Sequence, residues 1–251
     1  LSFLIQAQGL TKIYRKRSVV HDISLTINSG EVVGIIGPNG AGKSTTLDML
    51  LGLRRPDNGS VAYWCHEPYR HIGVQLQTTP FFPGHNAMEN MRLFAAFYGV
   101  RLQHAAILGI LDRCGLRDAA KTDAARLSGG QQKRLAIAMT LVHDPSLVFL
   151  DEPTAALDPR ARREIRELIV SLAQGGTSVV FTSHDMEEVF KLATRIVMID
   201  KGVLKADGRP EDLLSDYGVS SLEELYVLLT EPAVDQLPES AAEACIKEDL
   251  I

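Results

Sequence analysis

A chain of 251 residues is long enough for one large α/β domain or two small ones with a sizeable core. Hydrophobic residues make up 45% and charged residues 23%, ordinary globular proportions. The formal net charge of -5 argues against a nucleic-acid binder working through bulk positive charge, so no nucleic-acid partner is expected. Cys65, Cys114 and Cys245 are an odd number at unrelated spacings, which indicates neither a disulfide framework nor a zinc cluster and fits a reducing cytoplasm. No run approaches the roughly 18 to 20 consecutive apolar residues of a membrane span. From Leu1 onward no charged region precedes an apolar core, so no signal peptide is read.

In chain order, "LIQAQGLTKIY" and "VVHDISLTINSG" alternate with period two and end in turn residues, predicting antiparallel strands layered on a core. "EVVGIIG", Glu31 to Gly37, is a short apolar, β-branched run followed by "GPNGAGKST" and then by the helical periodicity of "KSTTLDMLLGL". Strand, glycine loop and helix in that order is the arrangement a phosphate cradle requires. Glycines allow backbone N–H groups to curl around phosphate oxygens, Lys43 supplies a cation, and Ser44 offers a hydroxyl to Mg²⁺.

After "IGVQLQ" (Ile72 to Gln77) the character changes. Asn86 is a candidate N-cap with Glu89 three residues on, and the pattern from there to about Ala138 is helical without strands. Strands resume at "SLVFLDE", "TSVVFTSH" and "RIVMID", separated by helices over about Arg160 to Ala173 and Met186 to Ala193. "IDKGVLKADG" reads as a hairpin with a Lys-Gly turn. The fold class is therefore α/β: a phosphate-loop core with a mainly parallel sheet, an antiparallel β layer near the N-terminus, and an inserted helical subdomain. Residues 1–218 form the nucleotide-binding domain, with core 1–77 and 139–218 and helical subdomain about 78–138. Residues 219–251 form a C-terminal extension, whose tail from Glu231 holds six acidic residues and one lysine and reads as solvated and partly disordered.

Three further features bear on chemistry. "LVFLDE" is a buried strand ending in Asp151 and Glu152, whose side chains leave on opposite sides and can take different tasks. An acid at this strand end in phosphate-loop enzymes holds Mg²⁺, and a neighbour can act as general base. His184 closes another apolar strand, and "LSGGQQKRLAI" (Leu127 to Ile137) looks like a second phosphate cradle.

Taken together, "GPNGAGKS", "LSGGQ" and "LVFLDE" in that order resemble the nucleotide-binding subunit of ATP-binding cassette (ABC) transporters, over about Leu10 to Thr230. "LSGGQ" is the most specific element, since phosphate-loop enzymes at large lack it. The resemblance implies the binding of ATP and Mg²⁺. Tyr14 would stack on adenine; Gly37, Asn39, Gly40, Gly42, Lys43, Ser44 and Thr45 would hold the phosphates, with Ser44, Gln77 and Asp151 at Mg²⁺. It also makes Glu152 the catalytic base, His184 the switch at the γ-phosphate, and Gln77 the head of a loop facing a membrane partner. Ser128, Gly129, Gly130 and Gln131 would close on ATP held by a second cassette, with Asp158 communicating across that dimer.

The implied protein is an ATPase driving export of a small molecule through a separate transmembrane permease, peripheral on the inner face of the cell membrane. "GVQLQ", "DEPTAALDPRARREI" and "SLEELYVLLT" look most like ATPase subunits of bacterial multidrug or antibiotic exporters. An importer ATPase, or a soluble ABC-type ATPase, is the alternative. Two departures stand out: "GSVAYWCHEPYRHIGVQLQ" is shorter than usual for the family, and Met139 stands where many relatives have arginine.

Overall fold

The computed structural model describes residues 3–15, 17–77 and 81–230. The acidic tail and the three residues after Gln77 lie outside the described residues. The chain runs β1 (Phe3–Tyr14), β2 (Arg17–Asn28), β3 (Val32–Ile36), α1 (Lys43–Leu50), β4 (Asn58–Tyr63), β5 (Ile72–Gln75), α2 (Ala87–Phe97), α3 (His104–Arg113), α4 (Gly129–Thr140), β6 (Leu147–Leu150) and α5 (Pro159–Gln174). It continues through β7 (Ser178–Ser183), α6 (Met186–Leu192), β8 (Arg195–Asp200), β9 (Val203–Gly208), α7 (Pro210–Tyr217) and α8 (Leu222–Thr230).

Two sheets result. The smaller is antiparallel, in the order β2-β1-β4. The larger has the order β5-β6-β7-β3-β8-β9, with parallel pairing from β5 to β8 and an antiparallel edge at β9. The β8–β9 hairpin turns on Lys201 and Gly202, with φ of 47° and 78°, the positive values that a two-residue turn of this hand needs.

The central strands are buried on both faces, so they read as continuous apolar runs rather than alternating ones. Period two still sorts their side chains. Leu147 and Phe149 of β6 pack toward α1 and the small sheet, while Val148 and Leu150 face the helical side. On that helical side one apolar cluster runs from α2, α3 and α4 into β6, β7 and α5. Met139 is fully buried within it, so its departure from arginine puts an apolar side chain into an apolar site.

The start of α2 is fixed as its sequence predicts. Asn86 Oδ1 accepts from Glu89 N–H at 2.9 Å, and Glu89 Oε2 accepts from Asn86 N–H at 2.8 Å, forming a reciprocal capping box. A signal less legible in sequence lies one turn on. Asn90 is fully buried, accepting from Phe82 N–H at 2.7 Å and donating to the carbonyls of His85 and Asn86. It thereby holds the loop before α2 against the helix.

Asn86→Ala removes one side of the capping box and is expected to cost about 1 kcal/mol of stability. Urea denaturation should show this as a lower midpoint at unchanged slope.

Candidate functional site

Parallel strands end at the same edge of a sheet, and here the loops after β3, β5 and β6 meet there. They enclose a cavity of about 240 Å³ lined by Val19, Asn39, Gly40, Gly42, Lys43, Ser44, Thr45, Gln77, Asp151 and Glu152. Ligands in open α/β sheets bind at this carboxyl edge.

The loop after β3 is shaped by glycine. Gly37 has φ 151°, and a Cβ there would stand 2.0 Å from the backbone oxygen of Ile199, so no other residue fits without moving the neighbouring strand. Gly42, left-handed at φ 103°, precedes α1 without a side-chain cap, so the first amides of that helix stay open toward the cavity. Lys43 is buried, its Nζ donating to the carbonyls of Gly37 at 2.8 Å and Pro38 at 3.1 Å. Burial pushes its pKa down, and the nearby Glu152 and Asp151 carboxylates oppose that shift. The ammonium is thus held in place by its own loop and by facing negative charge.

The opposite wall is organised by Thr182, a fully buried residue of β7. Its hydroxyl donates to Asp151 Oδ1 at 2.6 Å and accepts from Glu152 N–H at 2.9 Å. One side chain therefore fixes both carboxylate residues at the end of β6. Glu152 adopts φ 49°, a left-handed conformation that costs a non-glycine residue about 1 kcal/mol or more. His184 Nδ1 lies 2.9 Å from Glu152 Oε2, and with the carboxylate accepting, the ring proton sits on Nδ1.

Other predicted residues do not line the cavity. Tyr14 lies at the end of β1 with the Arg54 guanidinium 5.4 Å and the Lys12 ammonium 5.8 Å from its ring centre. Ser128 caps α4 by accepting from Gln131 N–H, and Gln131 Oε1 accepts from Ser128 N–H in return. Ser128 and Gly129 are exposed, whereas Gly130 is buried where a Cβ would come within 2.7 Å of the Ala161 side chain. Asp158 is exposed and caps α5, accepting from the N–H groups of Arg160 and Ala161. The start of the second cradle is thus exposed and is not part of this chain's own cavity lining.

A family model described as "ABC transporter" matches residues 20–155, more than half of the chain. The chain belongs to the ABC transporter family. Nod factor export ATP-binding protein I of Burkholderia lata is 37% identical over 230 residues, covering 87% of this chain and 75% of the relative. Linearmycin resistance ATP-binding protein LnrL of Bacillus subtilis is 36% identical over 233 residues, covering 89% and 75%. A solved ATP-binding subunit of an ABC transporter superposes with a TM-score of 0.79 at 27% identity, covering 91% of this chain and all of that one. The chain is thus an ABC ATP-binding protein with export-type relatives, and membership in this family implies ATP hydrolysis. No helix among the described residues is long and apolar enough to cross a membrane.

With the family established, the residues that sequence reasoning missed are the supporting ones. Thr182 gave no motif signal, because a threonine in a β-branched strand is ordinary; only the position of β7 beside β6 reveals its two partners. Val19 enters the cavity from β2, a strand of the other sheet.

Thr182→Val keeps the shape but strips the hydroxyl, leaving Glu152 N–H and one oxygen of Asp151 unpaired. A loss of about 1 to 3 kcal/mol is expected in chemical denaturation, largely recovered in Thr182→Ser.

Proposed function

We propose that this chain hydrolyses ATP with Mg²⁺ to drive export of a small molecule through a separate transmembrane permease. The observation that carries the reading is the single cavity in which Lys43, Ser44 and Thr45 face Gln77, Asp151 and Glu152. The cation donors fit. Thr182 engages Oδ1 of Asp151 and leaves Oδ2 available, and with the Ser44 hydroxyl and the Gln77 amide oxygen the set is made of hard oxygens. Mg²⁺ is typically bound through one or two carboxylates beside phosphate oxygens and water, and Asp151 is the carboxylate here. When bound, it would neutralise charge on the transferring phosphoryl group.

The chain's own residues carry the remaining roles. The open amides at the start of α1 receive phosphate oxygens, and Lys43 exchanges a loop carbonyl for a phosphate oxygen while keeping its charge in the site. Glu152 orients or deprotonates the attacking water, and His184 holds the Glu152 carboxylate in position through Nδ1. The exposed Ser128 and Gly129, at the N-terminus of a helix, suit a phosphate bound by a second copy of this chain. Asp158 holds the loop that would meet that copy. Tyr14 is assigned to adenine, for which its ring would exchange cation contacts for a base. In this arrangement hydrolysis depends on closure of two cassettes, which excludes water and completes the donor set.

The permease contact is assigned to the surface after Gln77. Phe81 packs on the main apolar cluster, whereas Phe82 is 38% exposed and Phe97 68%, their rings in contact with each other and with Phe94. An exposed aromatic group that begins five residues after the glutamine in sequence suits an amphipathic helix from a membrane protein. The segments 1–77 and 139–218 then act as the nucleotide-binding core and 78–138 as the arm that carries this contact. The export names of the relatives support export as the direction of transport.

Glu152→Gln is expected to slow phosphate release by roughly two orders of magnitude while sparing ATP binding. An unchanged rate would remove Glu152 from the role of base. Phe97→Ser is expected to abolish co-purification with the permease from detergent-solubilised membranes without lowering ATP affinity; a persistent complex would place the contact elsewhere.

A further inference from the structure

Glu152 is held in a conformation it would not choose. It is left-handed at φ 49°, and it precedes Pro153, which biases the preceding residue toward extended backbone. The surrounding structure must over-determine that geometry. Thr182 takes its N–H and His184 its carboxylate. Its carbonyl oxygen accepts from Ala155 N–H at 3.3 Å within its own loop and, among the described residues, from one group outside it, Lys133 Nζ, also at 3.3 Å.

Lys133 belongs to α4, the helix that begins at Ser128. It stands five residues beyond that cap, about 7.5 Å along the helix axis. Burial pushes its pKa down, and the Asp151 and Glu152 carboxylates near the ammonium oppose that shift. Lys133 does not line the cavity. α4 itself is seated by the close approach of Gly130 to Ala161 and by the ion pair of Arg134 with Glu164 at 3.1 Å, so Lys133 reaches Glu152 from a fixed platform.

We propose that Lys133 is a positioning residue for Glu152, tying the helix that carries the "LSGGQ" motif to the carboxylate residue of the same chain. The proposal rests on the assignment of Glu152 as the base. The ammonium holds the Glu152 carbonyl, the Glu152–Pro153 peptide keeps its orientation, and the carboxylate keeps its place at the cavity wall. A change in α4 therefore reaches Glu152 through one side chain, without passing through the nucleotide of this chain's own cavity.

The test is a double-mutant cycle read by phosphate release and by ATP binding. Lys133→Met is expected to lower kcat about tenfold with KM for ATP within about twofold, and Lys133→Arg to restore most of the rate. In a Glu152→Gln background, Lys133→Met should cause no further loss, because it acts through the carboxylate already removed. An equal tenfold loss in that background, an effect on KM alone, or an undiminished kcat would overturn the proposal. Lys133→Gln serves as a second neutral variant should Lys133→Met melt early. Failure of the underlying reading looks different: Glu152→Gln alone would then retain the full rate, whereas failure of the Lys133 proposal leaves the Glu152→Gln loss intact.

Discussion

The site depends on the parallel pairing of β3 with β7 and of β7 with β6. Parallel strands in register end at one edge, so the glycine loop after β3, the carboxylates after β6 and the histidine after β7 emerge together. The β3–β7 register of Ile35 against Thr182 brings the threonine level with the start of the glycine loop. The neighbouring strand β6 delivers Asp151 and Glu152 to the same hydroxyl. Were β7 to slip by a residue, Thr182 would point to the opposite face and lose both partners.

Charge follows from that geometry. Asp151 and Glu152 lie close enough to Lys43 and Lys133 to oppose the effect of burial on each ammonium. The two lysines approach the carboxylate pair by different routes, one through the glycine loop and one through α4. A half-buried carboxylate pair is costly without compensation, and these two cations together with the Thr182 hydroxyl provide it. The same environment that makes the acids tolerable keeps them aligned at the wall of the nucleotide cavity.

Much of this architecture was legible in the sequence because its signals are local. Asn86 and Glu89 announce a capping box with their own side chains, and the structure contains it. Lys201 and Gly202 announce a tight hairpin, since their backbone needs positive φ. The apolar runs "LVFL" and "SVVFTS" are strands buried on both faces. Less legible were α7 and α8, and the order of strands in the sheet, which local pattern does not encode.

By itself the sequence determined the α/β class, the glycine loop, the carboxylate pair and the family, because each rests on residue types at short spacing. Tertiary structure alone decided which of those residues share a cavity. It brought Gln77 to Lys43 and Asp151, left Tyr14 near two cations and off the cavity lining, and left Ser128 and Gly129 exposed. It also supplied Thr182, whose partners are 30 and 31 residues away along the chain, and Lys133, whose partner is 19 away. No spacing rule reaches that far, since such contacts are fixed by strand order and helix packing.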